Sequence, residues 1–180
     1  MRIIHGSHKG RLINPPKNLP VRPTTDFAKE SIFNILYNHF EFDGLKILDL
    51  FSGTGNIGME FASRGCGEVT CVDSSYHCCD FIKKTAAAFK MDAVRVIKSD
   101  VFAFLKRPSG PFHIVFCDPP YDMEKLETLP ELVFANELLK AEGWLIVEHG
   151  PHTDLSKLKH FSEHRKYGNV NFSIFKQVAE

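Results

Sequence analysis

Apolar runs of strand length alternate with stretches of helical period along most of the chain. The runs are KILDLF (46–51), EVTCVD (68–73), VRVIKSD (94–100), FHIVFCD (112–118) and WLIVEH (144–149). Their near-continuous hydrophobicity suits buried strands of a parallel sheet covered on both faces. The intervening stretches begin near Gly58, Ser75, Val101 and Met123 and are long enough for crossover helices, which predicts repeated βα units. The expected fold is α/β, a doubly wound, mainly parallel sheet. The closing segments LKHFSEHRKYG and NVNFSIFKQV, joined through Gly168-Asn169, break the rhythm and predict a terminal antiparallel hairpin of open register, making seven strands in all. Ahead of the first strand, a Thr25 cap, acids at Asp26 and Glu30, and Ile32, Phe33, Ile35, Leu36 and Phe40 on a helical period predict one amphipathic helix ending near Asp43-Gly44. Before it, RLINPPKNLPVRP (11–23) has four prolines and is expected to run extended, with neither ladder nor helix. This divides the chain into an N-terminal arm, 1–24, and a folded domain, 25–180.

Length and composition narrow the class. At 180 residues and 43% hydrophobic, one globular domain is expected. A chain of this size hides roughly 70% of its unfolded surface, so it needs no disulfides or metal to hold a core. No stretch reaches the ~18 apolar residues of a membrane span, and the start lacks the apolar segment of a secretory signal. Five cysteines (66, 71, 78, 79 and 117) form an odd set without a C-x-x-C pair, which argues against a disulfide framework and a zinc knuckle. A soluble, cytoplasmic, monomeric protein with reduced thiols and no metal is expected. The zero net charge hides an asymmetry. Residues 1–25 carry Arg2, Lys9, Arg11, Lys17 and Arg22 and no acid, leaving 17 basic against 22 acidic residues in the remainder. A basic arm on an acidic body suggests a polyanionic partner, but a bare charge run is by itself a solvated tail, and other residues must argue for the partner.

The loop after the first strand, Asp49-Leu-Phe51-Ser-Gly53-Thr-Gly55-Asn-Ile-Gly58, has the G-x-G-x-x-G spacing. Glycines allow a sharp turn and close ligand approach, and the following helix offers free N–H groups. Asp73, at the end of the second strand and 20 residues past Gly53, is placed to accept ribose hydroxyls. A nicotinamide dinucleotide fits these residues as well as any other nucleotide. Two further acids favour S-adenosylmethionine (SAM). Asp49 would only repel a diphosphate, but it can pair with the methionine part of a cationic cofactor, directly or through water. Asp100, after the third strand, can accept from an adenine amino group while the Val101 N–H donates to the ring. Each acid taken singly could instead be a helix cap or turn residue. Together they mark the carboxyl edge where such sheets bind ligands.

The fourth strand ends in Asp118-Pro119-Pro120-Tyr121. Prolines lack an N–H and fix φ, so they hold a rigid turn whose carbonyls the backbone does not fold back to use. An exocyclic amine on a nucleobase is a poor nucleophile because its lone pair is delocalised, and acceptors on its hydrogens favour pyramidalisation. Asp118 and the Pro119 carbonyl can be those acceptors, and Tyr121 can stack on the base to align the amine with the methyl carbon. Asp118 can then stabilise or take the proton once nitrogen becomes cationic.

With these motifs in place the chain resembles the class I SAM-dependent amino-methyltransferases, and specifically the RsmD-type 16S ribosomal RNA guanine-N2 methyltransferases. The resemblance covers nearly the whole chain: MRIIHGSHKGR, Arg22-Pro-Thr-Thr-Asp26 with Glu30, Phe33 and Asn34, DLFSGTGNIGMEFASRG, DPPY and RKYG. His5 stands where that family would have a glycine. The resemblance implies a Rossmann-like methyltransferase fold and methyl transfer from SAM to the 2-amino group of a guanine in small-subunit rRNA, free or in the small ribosomal subunit. The arm residues Arg2, Lys9, Arg11 and Arg22 would then track phosphates. Thr24 and Thr25 would hold RNA or close over SAM, unless both simply cap the helix. Three rival functions are an N6-adenine methyltransferase using the same tetrad, a nicotinamide-dependent oxidoreductase, and a ribosome-assembly factor that binds SAM and RNA without turnover.

Other signals point to structure. His160-Phe-Ser-Glu163-His164 spells a zinc motif of helices, but in a strand residues four apart are separated by roughly 13 Å, too far for one ion. His5 and His8 suit a mobile arm, His149 is a strand-end residue or a cleft group, and Cys78-Cys79 should pack in a helix.

Overall fold

The computed structural model describes residues 1–22, 24–107 and 109–178. Pro23, which belongs to both the proline-rich stretch and the R-P-T-T-D block, lies outside them. The chain runs α1 (Asp26–His39), β1 (Lys46–Leu50), α2 (Asn56–Ser63), β2 (Glu68–Asp73), α3 (Tyr76–Ala88), β3 (Val94–Lys98), α4 (Val101–Leu105), β4 (Phe112–Cys117), α5 (Thr128–Ala135), β5 (Leu139–His149), β6 (Phe161–Tyr167) and β7 (Val170–Lys176). The sheet order is β3-β2-β1-β4-β5-β7-β6. The first five of these strands pair in parallel, and β7 runs antiparallel to both β5 and β6. This is the expected doubly wound α/β sheet with its terminal hairpin, whose open register is set by Tyr167 opposite Val170 and Arg165 opposite Phe172.

Side chains alternate across each strand, so the sheet feeds two cores. Ile47, Ile114, Phe116 and Ile146 join α1, α2 and α3 in one; Leu48, Leu50, Val115 and Val147 join α4 and α5 in the other. The strand expected at 94–100 departs from the burial pattern: β3 is an edge strand, and Arg95, Ile97 and Lys98 are exposed. The last helix starts at Thr128 rather than near Met123, because the tetrad runs into turns, beginning with Met123 N–H donating to the Pro120 carbonyl. The first helix stops at His39, before the expected Asp43-Gly44.

The N-terminal arm differs most from expectation. Residues 1–13 close a hook through an Arg2–Leu12 bridge and bonds from Ile3 N–H to the Arg11 carbonyl and from Ile13 N–H to the Met1 carbonyl. Ile3 and Ile13 are buried in the α1–α3 core. The hook is docked, not mobile: Ile4 and His5 donate their N–H groups to the two oxygens of Glu60, and the His8 ring meets the Phe89 carbonyl at 2.6 Å. Glu60 is fully buried with Lys29, whose ammonium lies 2.9 Å away and also donates to the Arg2 carbonyl and Asn56 Oδ1. A Cβ on Gly6 would fall 1.9 Å from the Ser63 carbonyl oxygen, so only glycine lets the hook lie this close to α2. Of the proline-rich stretch, residues 14–22 lie outside ladder and helix as expected, though with a turn at 17–19.

Candidate active site

The order of strands reverses between β1 and β4, and ligands of open α/β sheets bind outside the strand ends at such a point. A cavity of about 540 Å³ lies there, within the usual range of small-molecule sites. Its walls are the glycine loop with Asp49 and Phe51, the β2 end with Asp73, the tetrad, and Pro20, Val21, Arg22 and Thr24.

Register explains which acids meet. Asp49 shares the parity of Ile47 on β1, so it points to the α2 side. It pairs level with Phe116, and Phe116 with Ile146. Two residues further along their strands, Asp118 and Glu148 stand side by side on that same face. Three neighbouring strands thus each contribute one carboxyl. Asp49 is 2% exposed, and its Oδ2 accepts Gly58 N–H at 3.0 Å. A Cβ on Gly58 would lie 2.6 Å from Cys71 Sγ and 3.1 Å from Asp49 Oδ2, so glycine is what lets α2 approach and donate. Burial pushes the Asp49 carboxyl up to about 8, with the Gly58 bond acting against it. Burial, and then Glu148, also push Asp118 well above the usual carboxylate range.

Glu148 was not among the residues the sequence singled out; only its place in WLIVEH, an acid inside an apolar run, hinted at it. It is 1% exposed. Its Oε1 accepts the Thr24 hydroxyl at 2.7 Å and its Oε2 the Tyr121 hydroxyl at 3.3 Å. Burial and Glu148 raise the Tyr121 phenol to about 12, so it remains a donor. Arg22 Cζ lies 3.6 Å from the Tyr121 ring centroid, and one terminal nitrogen is 3.8 Å from Glu148 Oε2.

The cofactor residues divide. Asp73 lines the cavity and accepts from Gly53 N–H at 2.9 Å and Ser75 N–H at 2.9 Å, bracing the loop. Phe51 holds a φ of 57°, in the left-handed region, at the cavity wall. Gly55, also left-handed, turns the chain into α2 beneath Ile82 and Met59 and is not a wall residue. Asp100 is exposed at the edge of the sheet, where its carboxylate caps α4 by accepting Ala103 N–H at 3.0 Å; neither it nor Val101 lines the cavity. Asn56, buried at the cavity wall, has an Nδ2 without a partner among the described residues, a free donor for an acceptor on a bound molecule.

The tetrad behaves as expected in part. The Pro119 carbonyl accepts no hydrogen bond from the described residues, whereas the Pro120 carbonyl is used by Met123, contrary to the expectation that both stay free. Of the six residues expected to contact RNA (Arg2, Lys9, Arg11, Arg22, Thr24 and Thr25), Arg22 and Thr24 line the cavity. Thr25 caps α1 by accepting Ala28 N–H, Arg2 pairs with Asp26, and Arg11 lies over Phe89 at the far end of α3. Lys9 belongs to that distal hook. His149 bonds Ser173 and the Gly150 carbonyl, and burial lowers its basicity; it is a packing residue. His160 stacks on Phe134 while His164 bonds Asn171.

The profile of the family described as "Conserved hypothetical protein 95" matches residues 1–176. The chain belongs to that family. Ribosomal RNA small subunit methyltransferase D of Escherichia coli (strain K12) is 31% identical over 183 residues, covering 100% of this chain and 91% of that protein. The solved structure of yhhF from Escherichia coli matches at TM-score 0.88 and 27% identity over 100% of this chain and 99% of that one. An RNA methyltransferase from Salinibacter ruber, solved with S-adenosyl-L-homocysteine, shares the fold at TM-score 0.69 and 14% identity, covering 88% and 95% of the two chains. The family match includes the hook as well as the cleft. Among the described residues no helix is long and apolar enough to cross a membrane.

Proposed function

We propose that this protein transfers a methyl group from S-adenosylmethionine to the exocyclic 2-amino group of a guanine in 16S ribosomal RNA, free or within the small subunit. The observation that carries this reading is the juxtaposition, at one switch point, of a glycine loop that starts from buried Asp49 and an Asp-Pro-Pro-Tyr turn. The site residues fit the cofactor. Asp49 provides a carboxyl for the cationic methionine part, Asp73 an acceptor for ribose hydroxyls, and Asn56 Nδ2 a donor. Asp100 and Val101 stand beyond the cavity and would meet an adenine only where it extends past Asp73. Bound there, SAM supplies an electrophilic methyl group on a sulfonium.

The chain's own residues prepare the nucleophile. Tyr121 offers a flat, partly exposed ring on which a splayed-out base stacks. Asp118 and the Pro119 carbonyl accept the two amine hydrogens, which localises the nitrogen lone pair towards the methyl carbon. The raised basicity of Asp118 makes it the proton acceptor once the nitrogen turns cationic. Arg22 at the cleft mouth, and Arg2, Lys9 and Arg11 on the hook, provide phosphate contacts over a longer stretch of RNA.

Calorimetry with SAM and with NADH, followed by labelled methyl transfer to unmodified rRNA, tests this. SAM binding with uptake of label is expected. NADH binding would return the oxidoreductase, and SAM binding without transfer would favour a non-catalytic assembly factor.

A further inference from the structure

Arg22 shows what fits on Tyr121. Its guanidinium carbon lies over the ring, 3.6 Å from the centroid, and one terminal nitrogen is 3.8 Å from Glu148 Oε2. A flat group in this seat therefore presents its edge to Glu148 at nearly hydrogen-bonding distance. Guanine carries the same pattern, because its N1, C2 and 2-amino nitrogen form a guanidine unit whose N1–H and N2–H point the same way. A carboxylate accepts such a pair bidentately. Adenine has a lone pair at N1, which faces a carboxylate repulsively.

Anchoring alone does not explain a carboxylate at this position. A glutamine would satisfy the hydroxyls of Thr24 and Tyr121 as well, its amide oxygen accepting from one and its amide N–H donating to the other, without burying charge beside Asp118. We propose that Glu148 is the specificity-determining residue for the acceptor base, reading the N1–H of guanine together with one hydrogen of its 2-amino group. The hydrogen read by Glu148 is shared with the Pro119 carbonyl and stays on nitrogen, and Asp118 accepts the other, which is the proton that departs. Arg22 occupies the seat until a base displaces it, and its charge then becomes available to a phosphate. This inference rests on the proposed guanine-N2 activity and adds to it the group that selects the base.

The test compares guanine with 2-aminopurine, which keeps the 2-amino group but has a lone pair at N1. Once the methylated position is mapped, small-subunit RNA is prepared with either base there, and kcat/KM is measured for wild type and Glu148→Gln. Wild type should favour guanine by roughly 10- to 100-fold, the range for one bidentate contact. A glutamine can accept from the 2-amino group and donate to N1 of 2-aminopurine, so Glu148→Gln should reverse the preference. A merely structural role would lower both rates and leave their ratio intact. Equal use of the two bases by wild type, or an unchanged ratio in a folded Glu148→Gln protein, overturns the inference. Wild-type N2 methylation of guanine with either of those results leaves the proposed function standing; absence of N2-methylguanosine removes both.

Discussion

Asp49 should be a stability liability in the free protein and an asset once the cofactor binds. Its carboxyl titrates at about 8 in the fold against 3.8 unperturbed, chiefly because it is buried. Between those values the native state holds a proton that the unfolded chain has lost. Stability therefore falls as pH rises through that window and levels off above about 8. The interval from 3.8 to 7 corresponds to about 4 kcal/mol at neutral pH. Asp49→Asn keeps an oxygen for Gly58 N–H and removes the titration. It should stabilise the free protein by about 2–4 kcal/mol at pH 7 and remove that part of the slope between pH 5 and 8, as read by urea denaturation of both proteins at several pH values. Cofactor binding should reverse the sign. A cation beside Asp49 favours the carboxylate, so SAM affinity should rise with pH up to about 8, with release of close to one proton at pH 7, measured by calorimetry in buffers of different ionisation enthalpy. The variant should bind SAM weakly and release none. Parallel pH–stability curves for the two proteins, or SAM binding to wild type without proton release, would refute the argument.

Asp118→Ala should abolish turnover while SAM still binds, since it removes the amine's partner and leaves the cofactor's; retained turnover would remove Asp118 from the mechanism. Asp118 must be ionised to accept a proton, so the rate should rise with pH through a limb above the ordinary carboxylate range, and Glu148→Gln, by removing a neighbouring negative charge, should move that limb to lower pH. A pH–rate profile with an unmoved limb would contradict the coupling. Lys29→Met leaves Arg64, 2.8 Å from Oε2, as the remaining cation of buried Glu60 and strips the donor from the Arg2 carbonyl and Asn56 Oδ1; it should cost about 1–3 kcal/mol, with early loss of amide exchange protection at Ile4 and His5. Neutralising Lys9 and Arg11 together should make the salt dependence of RNA binding shallower by about 1.5 in log–log slope; an unchanged slope would make that end of the molecule a solvated surface.

The central strands are readable because a buried parallel strand must be apolar throughout; Asp73 and Asp118 are readable because they close such runs, and Asp49 because it stands four residues ahead of Gly53. Glu148 is not, since its importance arises from β5 lying beside β4, and sheet order is not written in local pattern. Asp100 shows the converse. Its motif position resembled that of Asp73, but β3 is the sheet edge, and the aspartate serves its own helix. The hook is hidden from local pattern for a different reason. Prolines and positive charge suggested an extended arm, whereas two buried isoleucines, a glycine against Ser63 and a buried Lys29–Glu60 pair tie it down, and these partners lie more than 25 residues apart in sequence. The charge asymmetry was real in sequence, yet it is spread over two ends of the molecule, with Arg22 at the cleft and Lys9 and Arg11 on the distal hook.

The most direct test of the whole account is the identity of the methylated nucleoside. Labelled methyl groups are transferred from SAM to unmodified small subunits, free 16S rRNA and duplex DNA, and the products are digested to nucleosides. N2-methylguanosine from rRNA is predicted, and the ratio between free and assembled RNA identifies the form recognised. N6-methyladenosine or its deoxy counterpart would preserve the tetrad chemistry but contradict the guanine assignment, and absence of label from every substrate would contradict the enzyme itself.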